Sequence, residues 1–143
     1  MTAFKGQNKT KYDNGGSGDN IIPDGYIKTV EKVWMDSFAF TSVLTTADTI
    51  AIATIPKNKK ITGIDVYFPA LTPTGATLVC GIAGDADKFI QSAAVGTGEK
   101  LSMNNVDGFQ FVTTEETDIL VALDTVAITA PTAGTITTVV RYT

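Results

Sequence analysis

Thr49-Ile-Ala-Ile-Ala-Thr-Ile-Pro-Lys-Asn-Lys-Lys-Ile-Thr-Gly-Ile-Asp-Val-Tyr-Phe-Pro69 decides the fold class. Period-two alternation runs up to Ile55, and a second alternation runs from Ile61 to Phe68. Successive side chains of an extended chain point to opposite faces, so each half reads as a β-strand. Between them Pro56-Lys-Asn-Lys-Lys60 is a polar turn, expected to be a solvated tip carrying Lys57, Lys59 and Lys60; the alternative for those lysines is an acidic partner surface. In the second strand Thr62, Ile64, Val66 and Phe68 share the parity expected to face the core. Ile61, Gly63, Asp65 and Tyr67 share the other, which sets Asp65 outward, where a charge costs little.

The rest of the composition agrees with β-structure. The chain has 143 residues, suited to one domain with a core of its own. It contains 23 threonines, whose branched Cβ fits a pleated surface better than a helix. Net charge is −4, which argues against a nucleic-acid partner, because phosphate binding needs clustered Lys and Arg. Histidine is absent from the sequence, and with it the commonest general base and transition-metal ligand. A single cysteine, Cys80, leaves no internal disulfide to form. The N-terminus lacks the apolar core of a signal peptide, and no run approaches the length of a membrane helix. Cytoplasmic synthesis and no membrane partner are therefore expected.

Outward from the deciding stretch, residues 1–25 read as an extended N-terminal arm and residues 26–143 as the sandwich domain. Asn14-Gly-Gly-Ser-Gly-Asp-Asn20 is almost pure breaker composition, with Lys5, Lys9 and Lys11 ahead of it and two isolated aromatics, Phe4 and Tyr12. Such a segment has no reason to fold alone; it is either a disordered terminus or an arm that orders on a neighbouring subunit, with Phe4 and Tyr12 as anchors. Ile21-Ile-Pro-Asp-Gly25 is turn chemistry, and the body begins at Tyr26. Tyr26 to Thr41 reads as a strand broken near Asp36, with a helix as the rival. Thr77–Ile82 is a strand with Leu78, Cys80 and Ile82 on one face, and Gln91–Asn105 is loop-like. Gly108–Val112 is expected as a strand. Ile119–Leu123 is unbroken apolar sequence, as in a central strand buried on both faces, and Val126–Thr129 continues it past a bend. Thr135–Tyr142 closes the chain, with Ile136, Thr138, Val140 and Tyr142 on one face. The run from Thr45 through a strand, a Pro turn and a strand is echoed from Thr113 through Pro131. About eight short strands with no helical crossover predict an all-β, antiparallel sandwich of jelly-roll or immunoglobulin-like type.

Chemistry is sparse. Asp85 and Asp87 have a partial calcium-loop spacing, but the further oxygen ligands are missing, so bonds to loop amides are the expectation. Glu115 and Glu116 are adjacent and suit a solvated turn better than a catalytic pair. Cys80 reads as a small buried hydrophobe. No catalytic, cofactor-binding or metal residue is assigned, and no enzyme is expected.

At Ala53–Ile64, with a strand ending Ile-Pro and an Ile-Thr-Gly strand start, and at Thr77–Ile90, with a Gly-Asp-x-Asp-x-Phe turn, the chain resembles small structural proteins of tailed-bacteriophage virions. That group includes head decoration, or cement, proteins. The resemblance implies a β-rich body that sits on the capsid exterior as an oligomer, a trimer being favoured, with the major capsid protein as partner. A tail or fibre part is the nearest alternative. A carbohydrate-binding sandwich is another, and Trp34, Tyr67 and Tyr142 are the candidates for its aromatic face.

Overall fold

The computed structural model describes residues 30–143. The proposed arm, its anchors Phe4 and Tyr12, the turn at Ile21–Gly25 and the start of the body at Tyr26 lie outside the described residues. Eight strands follow in order: β1 (Lys32–Phe40), β2 (Thr49–Ile55), β3 (Ile61–Tyr67), β4 (Thr77–Ile82), β5 (Asp85–Ala94), β6 (Lys100–Ser102), β7 (Thr117–Leu123) and β8 (Gly134–Tyr142). They form two four-stranded antiparallel sheets, ordered β1-β8-β3-β6 and β2-β7-β4-β5.

The pairing has a simple logic. Each early strand pairs with its counterpart from the end: β1 with β8, β2 with β7, β3 with β6, β4 with β5. The chain is thus one long ribbon folded back at the β4–β5 turn and rolled until β8 also meets β3 and β7 also meets β4. This is the jelly-roll form of a β-sandwich. Strands β2 and β3 sit in opposite sheets, so the lysine tip between them crosses the sandwich instead of closing a hairpin. The echo between the Thr45 and Thr113 runs has the same basis. Both β2–β3 and β7–β8 cross from one sheet to the other, and they pair with each other.

Inward residues of both sheets build the core. Ile55, Ile61, Ile64, Val66, Phe89, Ile90, Ile119, Ile136 and Val140 are fully buried among them. An interior gap walled by Leu44, Leu71, Leu78, Val121 and Ile136 measures about 10 Å³, too small for a ligand.

Several sequence expectations are corrected. β1 is not broken at Asp36: its register with β8 runs without interruption from Lys32↔Tyr142 to Phe40↔Gly134. Asp36 is exposed and accepts from the Ser37 amide at 2.8 Å, so its charge does not disturb the strand. Ile61 faces the core, because a register shift between Ile61 and Gly63 turns it over. Gln91–Asn105 is not all loop: β5 runs on to Ala94, and β6 is a further short strand. There pairing with β4 and β3 replaces apolar side chains as the organising force.

Gly108–Val112 is not a strand. Val106–Gly108 is a 3-10 turn capped by Asn105, and Gln110 takes a φ of 62°, which breaks any extended run. Phe111 stacks edge-on against Phe89 at 5.9 Å between ring centres. Strand β7 is central, but it buries Ile119, Val121 and Leu123 on one face, while Leu120 and Ala122 are half-exposed on the other. Val126–Thr129 does not continue the strand: Ile128 is buried and donates its amide to the Leu44 carbonyl at 3.1 Å, and Thr129 donates to the Thr72 carbonyl at 2.7 Å.

Candidate interaction surface

β1 lies at one sheet edge, and its composition is unusual for that place. Val33 and Met35 are 57% and 69% exposed on the outer face. Trp34 and Phe38 lie opposite Val140 and Ile136, on the core side of the sheet, yet remain 38% and 40% exposed. The sandwich does not close over β1, so the strand shows large apolar groups on both faces. Between its C-terminal end and β2 lies an open groove of about 410 Å³, lined by Phe38, Phe40, Leu44 and Ile50 with Thr41, Ser42, Asp48 and Thr49. Asp48 at its rim accepts from the Thr45 amide at 2.7 Å and the Thr45 hydroxyl at 2.9 Å, and these bonds hold its carboxyl below the ordinary range.

The outer face of the same sheet carries an ion-pair cluster. Asp65 was expected outward and cheap. It does point outward, but it is only 7% exposed. Arg141 donates to its Oδ2 at 2.9 Å, Ser102 donates to its Oδ1 at 2.6 Å, and the Lys100 ammonium stands 3.9 Å away. Burial pushes the Asp65 carboxyl up, but the Ser102 bond and the bond and charge of Arg141, with Lys100, outweigh it and hold it below the ordinary range. Gly63 makes room for the arrangement: a Cβ there would stand 2.7 Å from Arg141 Nη2. Val33 lies opposite Arg141 and Val139 opposite Asp65 by register, with Met35 beside Val139, so apolar groups border a cluster of one carboxylate and two cations.

The residues singled out from the sequence are scattered. Asp85 and Asp87 lie in β5, not in a loop. Asp85 pairs with Lys88 at 3.3 Å, while the Asp87 carbonyl accepts from Asn105 Nδ2 at 2.8 Å. Among the described residues no group of three or more His, Cys, Asp and Glu could hold a metal. Glu115 and Glu116 are exposed in the turn before β7, beside an open groove of about 340 Å³ that Ile82, Phe111 and Asp118 also line. Cys80 is fully buried, and burial pushes its thiol up to about 12.

Lys57 and Lys60 are exposed at the tip, and Lys59 is half-buried. The tip backbone is tied down by the buried Thr113, whose hydroxyl donates to the Pro56 carbonyl at 2.6 Å and accepts from the Lys59 amide at 2.9 Å. Trp34, Tyr67 and Tyr142 form no aromatic platform. Tyr67 is on the outer face opposite Thr137, Trp34 is on the core side opposite Val140, and Tyr142 is partly buried against the core.

Sequence reading missed the apolar exposure of β1 and the Asp65–Arg141 pair. Val33, Trp34, Met35 and Phe38, apolar on both parities of a strand outside the chain's centre, are the signal that could have found the first. The second depends on β3 lying beside β8, which no local pattern shows.

No protein-family model matches the chain, and no curated protein matches it. Solved structures do. A chain of the cyanophage Pam1 capsid asymmetric unit is 25% identical, with a TM-score of 0.67, covering 78% of this chain and 83% of that one. A chain of the Ralstonia phage GP4 capsid is 18% identical, with a TM-score of 0.63 and the same coverages of 78% and 83%. A chain of the acid-stable capsid of Helicobacter pylori bacteriophage KHP30 is 6% identical, with a TM-score of 0.58, covering 80% of this chain and 89% of that one. By fold, the chain stands with chains of three bacteriophage capsids.

Proposed function

We propose that this chain is a structural protein of a phage virion: a decoration, or cement, protein that sits as a homo-oligomer on the outside of the head, contacts the major capsid protein and stabilises the shell. The observation that carries the reading is the 25% identity and shared fold over 78% of the chain with a chain of the cyanophage capsid. The Ralstonia and Helicobacter phage capsid chains support the fold alone. A jelly roll hosts many functions, so the surface has to agree as well.

It agrees in kind. The core is filled, with its side chains in contact and a gap of about 10 Å³. The conspicuous features are an edge strand with exposed apolar side chains and an outer face where Val33 and Met35 border an ion-pair cluster, which suit attachment through several modest contacts repeated over a shell. The reading keeps residues 1–25 as an arm and residues 26–143 as the body. Sedimenting the purified protein with assembled shells that lack it tests the proposal. Saturable co-sedimentation is expected, and protein left wholly in the supernatant contradicts it.

A further inference from the structure

We propose that the free edge of β1 accepts residues 3–12 of a second copy of this chain as an added β-strand. The carrying observation is a contrast among the four sheet edges. β2 has a register shift between Ala51 and Ala53, and β5 has two shifts against β4. β6 is three residues long. Bulges and shortness are the devices that stop an edge from recruiting another strand. β1 has neither: it is nine residues in unbroken register, without proline, with Trp34, Phe38 and Phe40 on one face and Val33 and Met35 on the other, around a central Asp36-Ser37. Among the described residues β8 is its one strand neighbour.

The occupant is argued from the residues that precede β1. In Ala3-Phe-Lys-Gly-Gln-Asn-Lys-Thr-Lys-Tyr12, Phe4 and Tyr12 fall on one parity, and Lys5, Lys9 and Lys11 fall on the other. Extended, Phe4 and Tyr12 stand about 27 Å apart, which matches the span of β1 from Lys32 to Phe40. Added to β1, this segment turns its aromatics to the core side of the sheet, where one of them meets the groove that Phe38, Phe40, Leu44 and Ile50 line at the C-terminal end of the strand. Its lysines then stay in water on the outer side, near Val33 and Met35. They also charge the new edge, which ends the recruitment of further strands.

A second copy is the better source than the same chain. Docking in the same chain needs a connection over residues 13–31. That is long for a hairpin, whose loops run about 2–5 residues, and long for any structureless loop inside a compact domain. A turn at Pro23-Asp-Gly25 would instead set the glycine-rich Asn14–Asn20 run beside β1, with no side chain for Trp34 or Phe38 to meet. Stretched, residues 13–31 reach up to about 60 Å, enough to cross a compact body of this length, whose radius of gyration is about 13 Å.

The proposal concerns the free protein and does not depend on shell binding. Its test is photocrosslinking of the full chain carrying Phe4→p-benzoylphenylalanine. The expected product has twice the 15.1 kDa chain mass, with the link mapped to residues 32–50. A second arm uses charge on the outer face of β1. Met35→Lys should lower the yield of that product roughly threefold by facing the arm's lysines, while Met35→Glu should retain it. A link within one chain, a link mapped elsewhere, no link, or equal loss in both Met35 variants would overturn the proposal.

Discussion

Arg141 reaches across Gly63 to donate to Asp65 at 2.9 Å, joining β8 to β3 on the outer face of their sheet. The carboxylate is almost out of water, so its charge is tolerated because the guanidinium and the Ser102 hydroxyl replace the water it lost.

The pair makes stability depend on acid in a stated direction. The folded Asp65 carboxyl titrates below its ordinary value of 3.8, so its ionised form stabilises the fold at neutral pH. That contribution is held above 3.8 and lost as pH falls through the lower folded value. Arg141→Met should cost about 1–3 kcal/mol at pH 7. Asp65→Asn should also destabilise there, by an amount that shrinks below about pH 4. Urea denaturation at pH 7 and pH 3 checks both; an Asp65→Asn difference that does not shrink on acidification refutes the assignment.

Two glycines of the sheets should respond differently to alanine. At Gly63 the obstacle is the far end of a flexible side chain, Arg141 Nη2 at 2.7 Å, so Gly63→Ala should displace the guanidinium and cost no more than Arg141→Met. The two changes should be strongly non-additive in a double-mutant cycle. At Gly81 the obstacle is backbone, with the Asp85 carbonyl oxygen 2.1 Å from the new Cβ. Nothing there can rotate away, and Gly81→Ala should be clearly the more destabilising by thermal denaturation.

Thr113 fastens the lysine tip. Thr113→Val keeps the shape but removes the donor to the Pro56 carbonyl and the acceptor for the Lys59 amide, both at a fully buried position. A loss of about 1–3 kcal/mol is expected. Limited trypsin digestion should then cut faster at Lys57, Lys59 and Lys60, while the intact protein resists at those sites.

Cys80 should be inert in the folded protein. It is fully buried, and burial raises its thiol to about 12, so little thiolate exists at pH 8 and no reagent can reach it. A thiol assay should read near zero on the native chain and one equivalent after denaturation.

Much of this fold was legible in the residues. The alternations at Thr49–Ile55 and Ile61–Phe68 gave two strands within one residue of the observed bounds, because period-two spacing of apolar side chains marks a strand that turns them into a core. Which sheet each strand joins was not legible, since the crossing at Pro56–Lys60 has the same composition as a hairpin tip. Ile61 was assigned to the wrong face because a single register shift reverses parity, and the shift leaves no mark in the letters. Lys100-Leu-Ser102 became a strand through its partner β3 alone. Phe109-Gln-Phe111 alternates like a strand, yet Gln110 has positive φ and Gly108 lies tight against the Lys88 carbonyl. The interaction surface was the least visible part. Of the apolar residues of β1 only Phe40 is buried in the finished sandwich, while Val33, Trp34, Met35 and Phe38 stay exposed, and no local pattern shows where the cover ends.

The central claim is that the chain is a repeated part of a phage head. Quantitative mass spectrometry of purified particles, counting this chain against the main shell subunit, tests it most directly. A fixed and substantial ratio, kept through repeated purification, is what the account predicts. Absence from the particle, or a trace amount suited to a single tail or vertex, would contradict it.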